Sequence, residues 1–135
     1  MANAAAYKEF EGWTGKKYTE VFEYDFANDT GAQGTYSLGK FGHKTLVRNG
    51  VVFVETACTS AGSATVAVGT STADDDAFLD ATSGAVANLV DDAVLVETTG
   101  TNLVVAADET LDLVIATADL TAGKIKVILE CINVE

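Results

Sequence analysis

From Tyr18 to Val134 the chain is a succession of short runs rich in Val, Ile, Thr and aromatic residues, each closed by a cluster of Gly, Asn, Asp, Ser or Thr. Several runs alternate: Phe22, Tyr24 and Phe26 fall on one side of Tyr18 to Phe26, and Glu23 and Asp25 on the other. A period of two marks a half-buried strand, and runs this short do not sustain isolated helices. Strands are predicted at Tyr18 to Phe26, Thr35 to Leu38, Thr45 to Ala57, Ala64 to Gly69, Val94 to Thr98, Leu103 to Ala106, Leu111 to Thr117 and Lys124 to Val134. In the last, Ile125, Val127 and Leu129 oppose Lys124, Lys126, Ile128 and Glu130. Strands of this length at this spacing predict an all-β, antiparallel, jelly-roll-like sandwich of about eight strands. Asn49-Gly50 interrupts Thr45 to Ala57. The dipeptide admits a hairpin or a bulge at Gly50; one continuous bulged strand is preferred, because hairpin arms would hold only about four residues each.

Two segments depart from the strand pattern. Asp74-Asp75-Asp76 precedes Ala77-Phe78-Leu79, and Thr82, Ser83 and Gly84 follow. Acids complement the positive end of a helix dipole, so a short helix is predicted near residues 74–81. Residues 1–17 form an N-terminal arm ahead of a sandwich domain over 18–135. Within the arm Tyr7, Phe10 and Trp13 recur at spacing three. They fit a helical turn closing one end of the domain or, with Tyr18, an aromatic partner interface, since such residues anchor interfaces. A chain of 135 residues buries enough surface to fold as one domain without metal or disulfide staples.

Charge is confined as sharply as the strands are spaced. The 75 residues from Asn49 to Gly123 hold no Lys or Arg and twelve acids, while the segments on either side are neutral. The whole formal charge of −12 therefore lies in that stretch. Such a surface repels nucleic acid and offers no cationic cradle for phosphate or carboxylate substrates. No apolar run approaches a membrane span, and the first residues lack the basic and apolar regions of a secretory signal. The expected compartment is a cytoplasm, where thiols stay reduced. Cys58 and Cys131, 73 residues apart in β-type runs, are then read as free buried thiols in preference to a disulfide.

The supply of catalytic groups is thin. His43 is the single histidine and sits between Gly42 and Lys44, so a histidine-based triad or a multi-histidine zinc site has no second ring. The sequence carries no phosphate-binding loop, dinucleotide fingerprint or G-x-S-x-G. Carboxylate pairs run glycosidases, but the acidic stretch holds only Phe53 and Phe78 as aromatics to bind sugar. Asp74, Asp75, Asp76 and Asp80 offer hard oxygen ligands for calcium without the spacing of an EF-hand loop. The reading is no catalytic residue, no metal and no cofactor.

Ser37-Leu38-Gly39-Lys40, Thr45-Leu46-Val47-Arg48, Val51 to Ala57, Ala64 to Thr70, Asp76-Ala77-Phe78-Leu79 and Leu120 to Val127 follow one another in order. This series, over roughly residues 36 to 132, resembles small β-sandwich virion proteins of tailed bacteriophages, a group with capsid decoration (cement) proteins and parts of tails and head fibres. The resemblance implies a non-enzymatic structural protein on the outer capsid surface, made in the host bacterial cytoplasm. It would bind the major capsid protein and copies of itself as a homotrimer, with no nucleic acid, membrane or small-molecule substrate. Its less charged N-terminal part, with Tyr7, Phe10, Trp13 and Tyr18, would face the shell, and the acidic stretch would face solvent. The alternative is a tail- or head-fibre module that binds a host receptor or glycan.

Overall fold

The computed structural model describes residues 15–97 and 101–135. Eight strands run in chain order: β1 (Lys17–Asp25), β2 (Gly34–Lys40), β3 (Thr45–Thr59), β4 (Thr65–Thr70), β5 (Val94–Leu95), β6 (Leu103–Val105), β7 (Thr110–Ala116) and β8 (Ala122–Asn133). One helical turn, α1 (Phe26–Asp29), follows β1 and is capped by Asp25, whose side chain accepts from the Ala27 N–H. Every strand pairing is antiparallel.

The larger sheet has the order β1-β8-β3, with β5 and β6 both pairing with β3; the smaller has the order β2-β7-β4. This interleaving is that of a jelly roll, in which chain halves wind together and neighbouring strands come from opposite ends of the sequence. β8 shows how the sequence enforces it. Ile125, Val127, Leu129 and Cys131 are buried and Lys124, Lys126, Ile128 and Ile132 are not. A slip of one residue would put two lysines into the core, so the register between β1 and β3 is fixed by the side chains themselves. The core between the sheets joins these residues to Val52 and Val54 of β3, Val66 and Val68 of β4, and Leu111, Leu113 and Ile115 of β7. Each such side chain contributes about 1.5–3 kcal/mol by leaving water.

β3 is continuous over 15 residues, as the sequence favours over a hairpin. Its register with β8 shifts between Val47 and Asn49, between Val54 and Thr56, and between Thr56 and Thr59, so a bulge sits at Arg48 and none at Gly50. Gly50 has a different task. A Cβ there would lie 2.6 Å from Phe78 Cδ1 and 2.8 Å from Leu129 Cδ2, so the missing side chain is the space that the Phe78 ring occupies.

The helix expected near 74–81 does not form. The Thr70 N–H donates to the Asp74 carbonyl at 2.8 Å and the Thr70 hydroxyl oxygen accepts from the Asp74 N–H at 3.0 Å, which closes a tight loop after β4. Ala77, Phe78 and Leu79 are then all fully buried, which no single face of a short surface helix permits. A turn and two bends that lead into a bridge at Leu79 solve this. The Phe78 N–H donates to the Val68 carbonyl, and the Val68 N–H to the Leu79 carbonyl, each at 2.9 Å. Isolated bridges Val68↔Leu79 and Thr65↔Ala85 continue the line. The segment occupies the place of a fourth strand in the smaller sheet and covers the free edge of β4.

Candidate interaction surfaces

The outer face of the larger sheet is built from the residues that the core rejects. Register sets Val21 of β1 beside Ile128 of β8, and Ile128 beside Val51 of β3. The row two residues to one side reads Glu23, Lys126, Phe53 and then Val94 of β5. The row on the other side reads Thr19, Glu130 and Asn49. Val21 on β1 is 55% exposed and Val94 on β5 60%, with half-buried Ile128 and Val51 on the strands between them, so apolar side chains run across the face. Contiguous area of this kind marks contact surfaces more often than free ones.

Charged groups frame this apolar row. Toward the α1 end, Glu55 meets Lys124 at 3.0 Å and Lys126 at 2.9 Å, and Lys124 lies 3.8 Å from Glu23. The two lysines hold the Glu55 carboxyl below the usual carboxylate range through hydrogen bonds and charge. Toward the other end, the Arg48 bulge opens a depression of about 470 Å³ whose lining includes Lys17, Thr19, Arg48, Glu130 and Ile132. There Arg48 Nε donates to Asn102 Oδ1 at 3.0 Å, and Asn49 Nδ2 donates to Glu130 Oε2 at 2.9 Å.

Of the four aromatics singled out in the sequence, Tyr7, Phe10 and Trp13 lie outside the described residues. Tyr18 is half-buried near the start of β1. Its hydroxyl lies 3.4 Å from both His43 Nε2 and Thr45 Oγ1, and its ring meets the His43 ring edge-on with centroids 5.6 Å apart. The Thr45 hydroxyl donates to the His43 carbonyl at 2.8 Å, so its proton is engaged in the turn. Burial raises the Tyr18 hydroxyl above its ordinary pKa. The group packs the turn between β2 and β3 against β1, which is a structural use of His43.

Eleven of the twelve acids in the lysine-free stretch are exposed or half-buried, and Glu109 is buried. Its Oε1 accepts the N–H groups of Thr72 at 2.7 Å and Ala73 at 2.6 Å, and its Oε2 accepts that of Ala106 at 3.2 Å. Burial works to raise its pKa, but these N–H groups stabilise the charged form more, so the carboxyl is lowered on balance. Nothing in the turn sequence Ala107-Asp108-Glu109 distinguishes this acid from its exposed neighbours, because two of its three donors, Thr72 and Ala73, lie more than thirty residues away in the chain. The carboxylates of Asp74, Asp75 and Asp76 come within 4.8 Å of one another. The Asp76 carboxyl is raised by its hydrogen bond with Asp74 and by the crowded charge. Asp74 Oδ1 also accepts the Asp76 N–H at 3.3 Å, which uses part of the cluster to turn the loop.

Both cysteines are free and buried. Burial pushes the Cys58 thiol up to about 11 and the Cys131 thiol to about 12. A thiol reacts as its thiolate. Native protein at pH 8 is therefore expected to leave 5,5′-dithiobis(2-nitrobenzoate) unreacted, with both thiols released on adding denaturant. A fast thiol in the native state would contradict that packing.

No protein-family model and no curated protein matches the sequence. Solved structures do match the fold. A chain of the cyanophage Pam1 capsid asymmetric unit superposes with a TM-score of 0.62 at 15% identity, covering 98% of this chain and 97% of that one. A chain of the capsid of Ralstonia phage GP4 gives 0.62 at 16% identity, over 96% and 92%. A chain of the acid-stable capsid of Helicobacter pylori bacteriophage KHP30 gives 0.61 at 13%, over 88% and 89%. The chain shares its fold, over nearly its whole length, with chains of three bacteriophage capsids.

Proposed function

We propose that this chain is a structural component of a bacteriophage virion, a capsid decoration protein that binds the outer shell as a symmetric oligomer and stabilises it. The observation that carries the reading is the fold likeness to capsid chains across 97% and 98% of the two lengths compared. The rest of the molecule agrees with it. The His43 and Thr45 groups are engaged in packing, Glu109 is engaged with backbone, and the acids outside it lie on the exterior. A negatively charged exterior keeps many copies apart in solution before assembly.

Stabilisation would act by mass action: a protein that binds only the assembled, expanded shell shifts the equilibrium toward it. Adding the purified chain to expanded capsids of its own phage is expected to give saturable binding at hundreds of copies and to raise the capsid melting temperature. Capsids that neither bind the chain nor gain stability would remove the decoration role. A copy number of a few dozen per virion would move the protein to a fibre or tail.

A further inference from the structure

We propose that the outer face of the larger sheet is a two-fold contact between two copies of this chain, centred on Val21, Ile128 and Val51. The multi-copy virion reading supports the choice of a second copy as occupant, but the argument itself comes from how charge is laid out on this face.

The chain carries −12 overall, so most approaches between two copies are repulsive. The outward positions of β1, β8 and β3 are an exception. On the α1 side of the Val21–Ile128–Val51 row stand Lys124 and Lys126 with Glu23, Asp25 and Glu55, one excess negative charge. On the other side stand Lys17 and Arg48 with Glu130, one excess positive charge. The outward positions of these three strands are neutral together and oppositely charged in their two halves, and Asp91 and Asp92 beside the end of β3 add to the negative half.

A two-fold axis along the apolar row turns one copy end for end over the other. It lays the positive half of each sheet on the negative half of the second copy, and does so twice. Along β8, Ile128 then meets Ile128, and Lys126 meets Glu130 of the second copy on both sides. An isologous contact requires this self-complementarity, since a residue i that touches j must also find j touching i. Aligned sheets pack about 10 Å apart at roughly −30°, and long side chains tolerate the offset that this angle causes. Three strands roughly 4.8 Å apart and nine or so residues long, at about 3.3 Å per residue, give a footprint of roughly 430 Å² per copy, about half the ~800 Å² of a standard interface. That area fits a reversible dimer. The charge pattern thus selects a two-fold contact where the resemblance to virion proteins implies a three-fold one.

Sedimentation equilibrium of the full chain, across roughly 1 to 200 μM, tests this. A monomer–dimer equilibrium is expected, with Ile128→Asp monomeric at every concentration while its far-UV spectrum stays native. Glu130→Lys alone should weaken the dimer at least tenfold, and the exchange Lys126→Glu with Glu130→Lys should restore most of the loss. A trimer, a dimer indifferent to Ile128→Asp, or an exchange that restores nothing each overturn the proposal. So does a monomer that dimerises only when residues 1–14 are removed, because the chain's own N-terminal segment would then be what covers the face. Capsid binding is measured separately, so a monomer that still decorates shells would refute this contact and leave the virion role standing.

Discussion

Glu109→Ala is expected to lower the folding free energy by about 3 kcal/mol, the larger part of it from backbone groups left without an acceptor. The carboxylate is buried and takes the N–H groups of Thr72, Ala73 and Ala106. It thereby joins the loop after β4 to the turn before β7. Each donor stranded in a buried place costs about 1–3 kcal/mol, less where water can enter. Glu109→Gln should cost about 1–2 kcal/mol, because the amide keeps one acceptor oxygen and turns a donor toward the Ala106 N–H.

The pH dependence separates this role from simple packing. The folded-state pKa of Glu109 lies below its ordinary value, so its contribution is fully present above the unfolded value, about 4.3, and is lost as pH falls through the folded one. Urea titrations are expected to show a constant gap between wild type and Glu109→Gln from about pH 8 to 5, closing below about 4.3. A gap that persists unchanged to pH 3 would mean that the carboxylate charge contributes nothing.

Glu109 also shows where sequence reasoning stops. The strands were legible because period-two alternation reports directly on burial: the inward set Ile125, Val127, Leu129 of β8 is buried as the pattern requires. The jelly-roll pairing follows once those faces must meet. Misread was the segment after β4, where Asp74-Asp75-Asp76 suggests a helix dipole while the buried Phe78 and Leu79 bind the edge of β4. Local propensity lost there to a tertiary need, the covering of a strand edge. The interaction face was hidden for a related reason. Val21, Ile128 and Val51 are unremarkable alone and become one row only when β1, β8 and β3 are placed side by side. Charge balance on that face was equally invisible, since Lys17 and Glu130 lie at opposite ends of the chain.

The second large effect concerns Phe78 and Gly50. Phe78→Ala is expected to destabilise by about 4 kcal/mol, the usual size for emptying a fully buried aromatic site. Its ring lies where a Cβ on Gly50 would come within 2.6 Å, and Gly50 is not among the residues with positive φ. Gly50→Ala is therefore a test of space alone. In wild type it should cost about 1–3 kcal/mol by overpacking. In the Phe78→Ala background the added methyl still meets Leu129 Cδ2, but that branch can turn into the vacated volume, so the same change should cost clearly less than in wild type. A double-mutant cycle by urea unfolding should give a coupling of at least about 1 kcal/mol, with unchanged m-values confirming that the compared states are alike. Additivity within about 0.5 kcal/mol would mean that the two residues do not share a site. The segment after β4 would then have to be held over β3 by Leu79 and its backbone bonds to Val68, and not by the ring.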